Sequence, residues 1–525
     1  MSHATPSGGA LPLAKSRRWL IAISVALGAL LEIVDISIVN VALTEMQASL
    51  GATLGEIGWV VTGYAIANVI ILPLSAWLGD RFGKKRFFVF SLVAFVAASL
   101  LCGFAHSLGM LIVARVLQGL FGGGLLAKAQ SILFETFPKE EQAAAQALFG
   151  VVAIAGPAIG PTLGGYIVTN LDWRWIFFIN LPLGILAVLM ASAFLVPDGE
   201  RHEPAAGVDW FSLLLLALGL GSLQTVLEEG YSESWFDSQF ICLMGALAAV
   251  CLVVFVTRQL RIRNPVVDLH VLRHRSLWAG CMVSAVIGMG LYGALFAVPI
   301  FAQSMLHFTA QQTGMLLLPG ALASAFTMPF VARLLHRFDA RLLIACGALL
   351  IIYSMHLLSN LNPQTSSDDL FWPLIIRGVG AVLMFLPMSM AALGNVPVRE
   401  IASATGMYNL TRQLGGSIGI AILTTLLASR EAFHRSVLVE KLGVSDLTTL
   451  ERLHALIAGF VARGIDPAEA RNKALALLDA AVNAQAAVIS FGDTFWIIAA
   501  VFVCTLPLLL LLGKGRPSAS AAASH

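Results

Sequence analysis

Residues 76–105 read AWLGDRFGKKRFFVFSLVAFVAASLLCGFA. From Phe87 to Ala105 there is no charged side chain. At 1.5 Å of rise per residue such a run covers roughly 28 Å as a helix, the hydrocarbon thickness of a bilayer. A barrel strand would alternate polar and apolar residues over about ten positions, and this run does not alternate. The turn before it carries Arg81, Lys84, Lys85 and Arg86, and basic turns beside apolar runs stay on the cytoplasmic side. One oriented membrane helix follows.

The same reading extends in both directions. Fourteen stretches are long and apolar enough to cross, at approximately 19–43, 57–78, 87–105, 109–136, 143–168, 175–196, 210–228, 238–257, 277–303, 312–332, 342–360, 371–393, 404–428 and 491–513. They are numbered here as spans 1 to 14. Over the whole chain 58% of residues are hydrophobic, only 12% are charged, and mean hydropathy is +0.85. A soluble protein has about 25% charged residues, so several water-soluble domains are excluded, and so is disorder. The net charge of +2 supplies no basic field for nucleic acid. The 6 cysteines show no CxxC spacing, so neither a metal site nor a disulfide framework is expected.

With the N-terminus inside, the short inner segments hold 20 Lys and Arg residues, and the short outer loops hold Arg174 alone. Both termini are therefore expected in the cytoplasm. Residues 429–490 form a long outer loop. Within it, Asp466-Pro467-Ala468-Glu469 reads as a helix start. Leu450, Leu453, Ile457 and Phe460 follow helical spacing. Two amphipathic outer helices are expected, as a spacer, a lid or a docking face.

The turn after span 2 repeats after span 10, where residues 332–344 read ARLLHRFDARLLI. Asp80-Arg81-Phe82-Gly83 aligns with His336-Arg337-Phe338-Asp339, and Lys85 with Arg341. Two spans later an arginine enters each half, Arg115 and Arg377. The expected architecture is all-α: a tail 1–18, a six-helix half 19–196, a two-helix central insertion 197–263, a second six-helix half 264–513 and a tail 514–525. Two related halves with a substrate path between them are a transporter pattern. A clustered nucleophile and base, a metal set, a P-loop and a filter loop are all missing from the pattern. A transporter rather than an enzyme, channel or ATP-driven pump is the expectation, with no cofactor beyond an ion gradient.

Ionisable groups inside a membrane are costly and mark function by default. Glu32 and Asp35 share one face of span 1 at i, i+3. Asp35 and Arg115 fall at similar depth and can pair. A carboxylate that loses its arginine in a low-dielectric site binds a proton, and releases it when the pair re-forms. Asp35, Glu32 and Arg115 are thus candidates for proton coupling. Asp80, Arg81, Gly83 and Lys84 form a tight turn suited to gating. In span 5, Gly156, Pro157, Gly160, Pro161, Gly164 and Gly165 line one face with small residues, and the prolines bend it. Gln118, Lys128, Arg377 and Arg412 are candidates for a substrate cavity that could attract an anion. Lys128 can also snorkel to the inner edge, and the lone His356 reads as a packing residue.

LLEIVDISIVNVAL (30–43), GDRFGKK (79–85), RVLQG (115–119), GPAIGPTLGG (156–165) and WRWIFFINLPLG (173–184) resemble the major facilitator superfamily. Together with NPVVDLHVL (264–272), RQLGGSIGIAI (412–422) and QAAVISFGDTFW (485–496) they resemble its fourteen-span drug:proton antiporters of the EmrB/QacA type. The resemblance implies a bacterial inner-membrane exporter of amphipathic compounds, driven by protons through alternating access. It also implies a periplasmic adaptor and an outer-membrane channel as partners. By position, Asp35 resembles the protonatable acid, Arg115 its partner, Asp80, Arg81 and Gly83 the gating turn, and the Gly/Pro set the antiporter motif. Ala76, Thr44, Asp339 and Lys128 depart from the family pattern. Lys128 replaces an uncharged residue, which bears on substrate charge. A proton symporter or a facilitator for a small metabolite is the alternative.

Overall fold

The computed structural model describes residues 14–197, 208–262, 264–362, 364–442 and 447–512. Most of the two expected tails therefore lies outside the described residues. Fourteen helices among the described residues are long and apolar enough to cross a membrane. They are Lys15–Leu50, Gly55–Phe82, Lys84–Gly103, Leu108–Thr136, Lys139–Asn170, Trp175–Phe194, Trp210–Glu229, Gln239–Gln259, Arg275–Ser304, Ala310–Leu334, Ala340–Ser359, Ser367–Leu393, Ile401–Lys441 and Pro467–Leu511. They correspond one to one with spans 1 to 14.

Local chemistry sets their ends. Spans 2, 10 and 12 each start on a capping box, Thr53 with Glu56, Thr309 with Gln312 and Ser366 with Asp369. In each the hydroxyl residue and the acid or amide three positions on satisfy each other's backbone N–H groups. Span 2 ends at Gly83, whose φ of 93° lies in a region open to glycine and costly for other residues. That glycine lets the next helix start at Lys84 with no intervening loop.

The structure adds a break to one expected span and corrects one expected loop. Span 4 is not one continuous helix. It breaks at Gly123-Gly124 into Leu108–Gly122 and Leu125–Thr136. The segment 429–490 is not a loop either. The span 13 helix runs 41 residues, Ile401–Lys441, and the span 14 helix 42, Pro467–Leu508. At 1.5 Å per residue each is about 60 Å long, twice the apolar core of a bilayer. The apolar character ends near the membrane surface, but Ala, Leu, Glu and Lys continue without Gly or Pro, so the helices do not stop. Asp466 does cap a helix start, accepting from the Ala468 N–H at 3.1 Å. That start belongs to span 14 itself. Between the two extensions Leu447–Val461 forms the expected amphipathic helix, with Leu450, Leu453, Ile457 and Phe460 half-buried and the helix packed on the span 14 extension. Arg435 ties the extensions together through Asp479 at 2.8 Å and Asn483 at 2.7 Å.

Span 5 is held between span 1 and span 10. Spans 7 and 8 pair with each other, and span 7 lies against spans 2 and 13. The inner piece of span 4 packs on span 13, whereas the outer piece packs mainly on spans 2 and 3. At the ends bearing the basic turns, Ala143 and Ala147 of span 5 cluster with Met328, Val331, Val382 and Leu386 of spans 10 and 12. Phe134 joins the cluster that contains Ile401 and Ala404 of span 13. At these ends the seam between spans 1–6 and spans 9–14 is closed by apolar contact.

Candidate functional site

Asp35 and Arg115 are the centre of a buried polar cage, 0% and 1% exposed as side chains. Span 1 supplies Asp35, and the outer piece of span 4 supplies Arg115 and Gln118. Arg115 Nη1 donates to Asp35 Oδ2 at 2.5 Å. Gln118 Nε2 and Asn180 Nδ2 both donate to Asp35 Oδ1 at 2.8 Å. Arg115 also donates to the Val60 carbonyl at 3.2 Å and to Gln118 Oε1 at 2.8 Å. Its guanidinium lies 4.2 Å from the Tyr64 ring centroid. Asn180 is held in turn by Ser99 Oγ at 3.1 Å. The carboxylate thus meets three donors from two helices, which suits an anion removed from water. Sequence reading missed Asn180, although a lone Asn inside the apolar stretch IFFINLPLG is a polar signal.

Glu32 occupies a different setting one turn inward. Its Oε1 accepts from Asn68 Nδ2 at 2.9 Å, and its Oε2 accepts from the Leu126 backbone N–H at 2.8 Å. Leu126 is free to donate because span 4 breaks just before it and restarts. The first N–H groups of a helix have no internal partner and favour an anion. The break needs glycine: a Cβ on Gly123 would lie 2.6 Å from the Asn68 carbonyl oxygen. The GGG run at 122–124 carried this signal in the sequence.

Two side-chain hydrogen bonds cross the seam near this level. Gln413 Nε2 of span 13 donates to Asn68 Oδ1 at 2.9 Å. Asn409 Nδ2 donates to Gln130 Oε1 of span 4 at 2.7 Å. Arg412 Nη2 donates to Asn409 Oδ1 at 2.7 Å, and its guanidinium stands 4.9 Å from the Phe385 ring centroid. Phe385 stacks on Phe149 across the same seam. Glu32 is therefore linked through Asn68 to the opposite side, and Asp35 is not.

The turn expected to gate lies at the junction of spans 2 and 3. Lys84 pairs with Glu135 at 2.7 Å, Lys85 donates to the Leu195 carbonyl at 3.1 Å, and Arg81 stacks on Trp77. Lys128 does not snorkel. It is buried, with its ammonium against Gly79 and 5.8 Å from the Phe87 centroid, and it interacts electrostatically with Asp80. It packs on the 79–87 segment. In the second copy, Asp339 caps span 11 by accepting from the Arg341 N–H at 2.9 Å.

The Gly/Pro set of span 5 lines two faces, not one. Gly156, Gly160 and Gly164 meet Ile33, Ser37 and Ile38 of span 1. Gly165 meets the Gln311 backbone of span 10. Positions 164 and 165 are adjacent and point about 100° apart on a helix. Of the cavity candidates, Gln118 is in the Asp35 cage and Arg412 at the seam. Arg377 donates to the Ala294 carbonyl of span 9 at 3.1 Å. His356 packs on Trp496.

Comparison with known proteins bears on the family and the fold. The model of the Major Facilitator Superfamily matches residues 25–420. The chain is 31% identical over 499 residues to the multidrug export protein EmrB of Escherichia coli K12, covering 95% of this chain and 96% of that one. It is 29% identical over 498 residues to the colistin resistance protein EmrB of Acinetobacter baumannii, covering 95% and 97%. It is 30% identical over 495 residues to the fatty acid resistance protein FarB of Neisseria gonorrhoeae, covering 94% and 95%. Among solved structures, the human organic anion transporter MFSD10 superposes with a TM-score of 0.59 at 13% identity, covering 95% of this chain and 100% of that one.

Proposed function

The chain belongs to the major facilitator superfamily, and on that premise we propose that it exports small amphipathic compounds in exchange for protons by alternating access. The fold is a multi-pass helical bundle of the bacterial inner membrane, and the protein is a transporter, not an enzyme. The observation that carries the proposal is the contrast between two buried acids on one helix face. Asp35 is held inside spans 1–6 by Arg115, Gln118 and Asn180. Glu32 reaches the seam through Asn68 and Gln413.

In the proposed cycle, spans 1–6 and 9–14 act as two six-helix halves that rock about the substrate, with spans 7 and 8 as a central insertion. Moving span 4 against span 1 separates Arg115 from Asp35. An unpaired carboxylate in that dry cage takes a proton, and re-pairing expels it. Protonating Glu32 removes the charge that Asn68 and the Leu126 N–H hold, so Asn68 loses its orientation toward Gln413 and the seam loosens. Asp80, Arg81, Gly83, Lys84 and Lys128 gate the inner side, and the glycines of span 5 let spans 1 and 10 slide on it. Both termini are cytoplasmic in this proposal, on the strength of the 20 inner basic residues. A periplasmic adaptor and an outer-membrane channel complete the route, with the projecting ends of spans 13 and 14 available for contact. The energy source is the proton gradient, with no further cofactor.

The test is proteoliposomes holding a pH dye and an imposed proton gradient, supplied with cationic, neutral and anionic amphiphiles. Substrate-driven proton flux is expected for the native chain and not for Asp35→Asn. Substrate equilibration with no proton movement would refute antiport.

A further inference from the structure

Arg115, Lys128, Arg377 and Arg412 are the buried cations among the described residues. Three of them have a carboxylate in reach: Arg115 pairs with Asp35, Lys128 interacts with Asp80, and Arg412 interacts with Glu32. Arg377 has none among the described residues. Its one side-chain hydrogen bond there is from Nη1 to the Ala294 carbonyl, and no salt bridge or charged neighbour acts on it. A guanidinium has five N–H donors, so most of this one's capacity is unused, and 8% of its surface stays open.

The repeat sharpens the contrast. Arg115 on span 4 meets an acid on span 1, and Arg377 on span 12 meets span 9, the counterpart of span 1. Span 9, Arg275–Ser304, contains neither Asp nor Glu. On span 12 itself the only acids are Asp368 and Asp369 in the first turn, roughly 12 Å up the helix at 1.5 Å per residue. A buried charge without a counter-ion is costly. We propose that Arg377 is the anchor for the carboxylate of an amphipathic organic anion, with the anion taking the place that Asp35 fills for Arg115. The proposal rests on the export reading and names one substrate class for it. Arg377 lies roughly 15 Å below the outer end of its helix at the same rise, close to the bilayer midplane and below the depth of a lipid phosphate. At that depth the carboxylate of an anion with a short apolar chain supplies the ion pair. A neutral analogue of the same chain gains no ion pair.

The experiment uses the full chain in nanodiscs of zwitterionic lipid, and binding of decanoate, 1-decanol and decyltrimethylammonium is read by thermal stabilisation. The native chain is expected to bind decanoate about tenfold or more tightly than decanol, the size of a charge-assisted hydrogen bond. Arg377→Gln should bring that ratio to about one, and Arg377→Lys should keep part of it. A native ratio near one overturns the proposal without any variant. Equal loss for decanoate and decanol in Arg377→Gln also overturns it, because that is a packing role. Arg377-dependent stabilisation by short-chain phosphatidylglycerol with none by decanoate assigns the counter-ion to lipid and overturns it too. Flux in proteoliposomes separates the two readings. Arg377-dependent decanoate binding with no movement of any amphiphile defeats export and leaves the site. Export of decyltrimethylammonium without a decanoate preference defeats the site and leaves export.

Discussion

The hydrogen bond between Gln413 and Asn68 joins residues 345 positions apart across the seam, and Asn68 is buried. If it helps hold the inner side shut, cutting it should shift the balance toward the inward-open state. Gln413→Leu removes the donor at nearly constant volume and leaves Asn68 still bound to Glu32 at 2.9 Å. A neutral hydrogen bond contributes about 1 kcal/mol net, and about 1 kcal/mol changes a two-state ratio roughly fivefold. The inward-open to inward-closed ratio should therefore rise about fivefold. Spin labels at Glu140 and Val398, both exposed at the inner ends of opposite halves, report that ratio as a distance distribution. Asn68→Ala should shift it as far or farther, because Glu32 also loses a donor. The double variant should show a coupling of about 1 kcal/mol, since residues in direct contact are not additive. Strict additivity, or an unchanged distribution in Gln413→Leu, would refute the role of this bond in closure.

Three further outcomes follow from the same geometry. Asp35→Ala leaves Arg115 buried without its carboxylate, which costs about 3 kcal/mol or more; the thermal midpoint should fall steeply and recover in part when Arg115→Leu is added, and a double variant no more stable than Asp35→Ala counts against the pairing. Gly123→Ala puts a methyl 2.6 Å from the Asn68 carbonyl oxygen and should cost about 1–3 kcal/mol of overpacking while slowing transport, whereas Gly109→Ala, which meets nothing within 4 Å, should be neutral in both assays. Arg435→Ala removes an ion pair with both partners about half exposed, so stability should change by less than about 1 kcal/mol and flux in proteoliposomes not at all.

The fourteen spans were legible because bilayer thickness imposes one length on every crossing helix, and apolar runs of that length are hard to mistake. The Asp35–Arg115 pair was legible from depth alone, since two opposite charges at one level in hydrocarbon have few alternatives to each other. The break in span 4 was missed for a physical reason. A hydropathy count registers the GGG run as neutral, while the break depends on the close approach of Asn68 to Gly123, which is tertiary. The extensions of spans 13 and 14 were missed because apolarity marks where the membrane ends and not where the helix ends. Lys128 misled in the opposite way. Its position near the inner edge suggested a snorkelling side chain, but Gly79 has no Cβ, and the gap it leaves admits the ammonium between spans 2, 3 and 4.

The broken span explains why the two acids of span 1 need not act alike. Were span 4 continuous, the Leu126 N–H would be used within its own helix, and Glu32 would face the seam with Asn68 as its only hydrogen-bond donor. The restart at Leu125 turns a backbone N–H into a second fixed donor, so the Glu32 carboxylate is held by two hydrogen bonds, with Arg412 acting on it through space. Its other oxygen orients Asn68, and Asn68 is the residue that Gln413 holds from across the seam. Asp35 makes no such link, because each of its three donors comes from spans 4 and 6 of its own half. A proton on Asp35 therefore changes forces within one half, and a proton on Glu32 changes forces between halves. The proposed cycle uses both kinds of event. In this chain the two sites lie one helical turn apart on span 1, against opposite pieces of span 4.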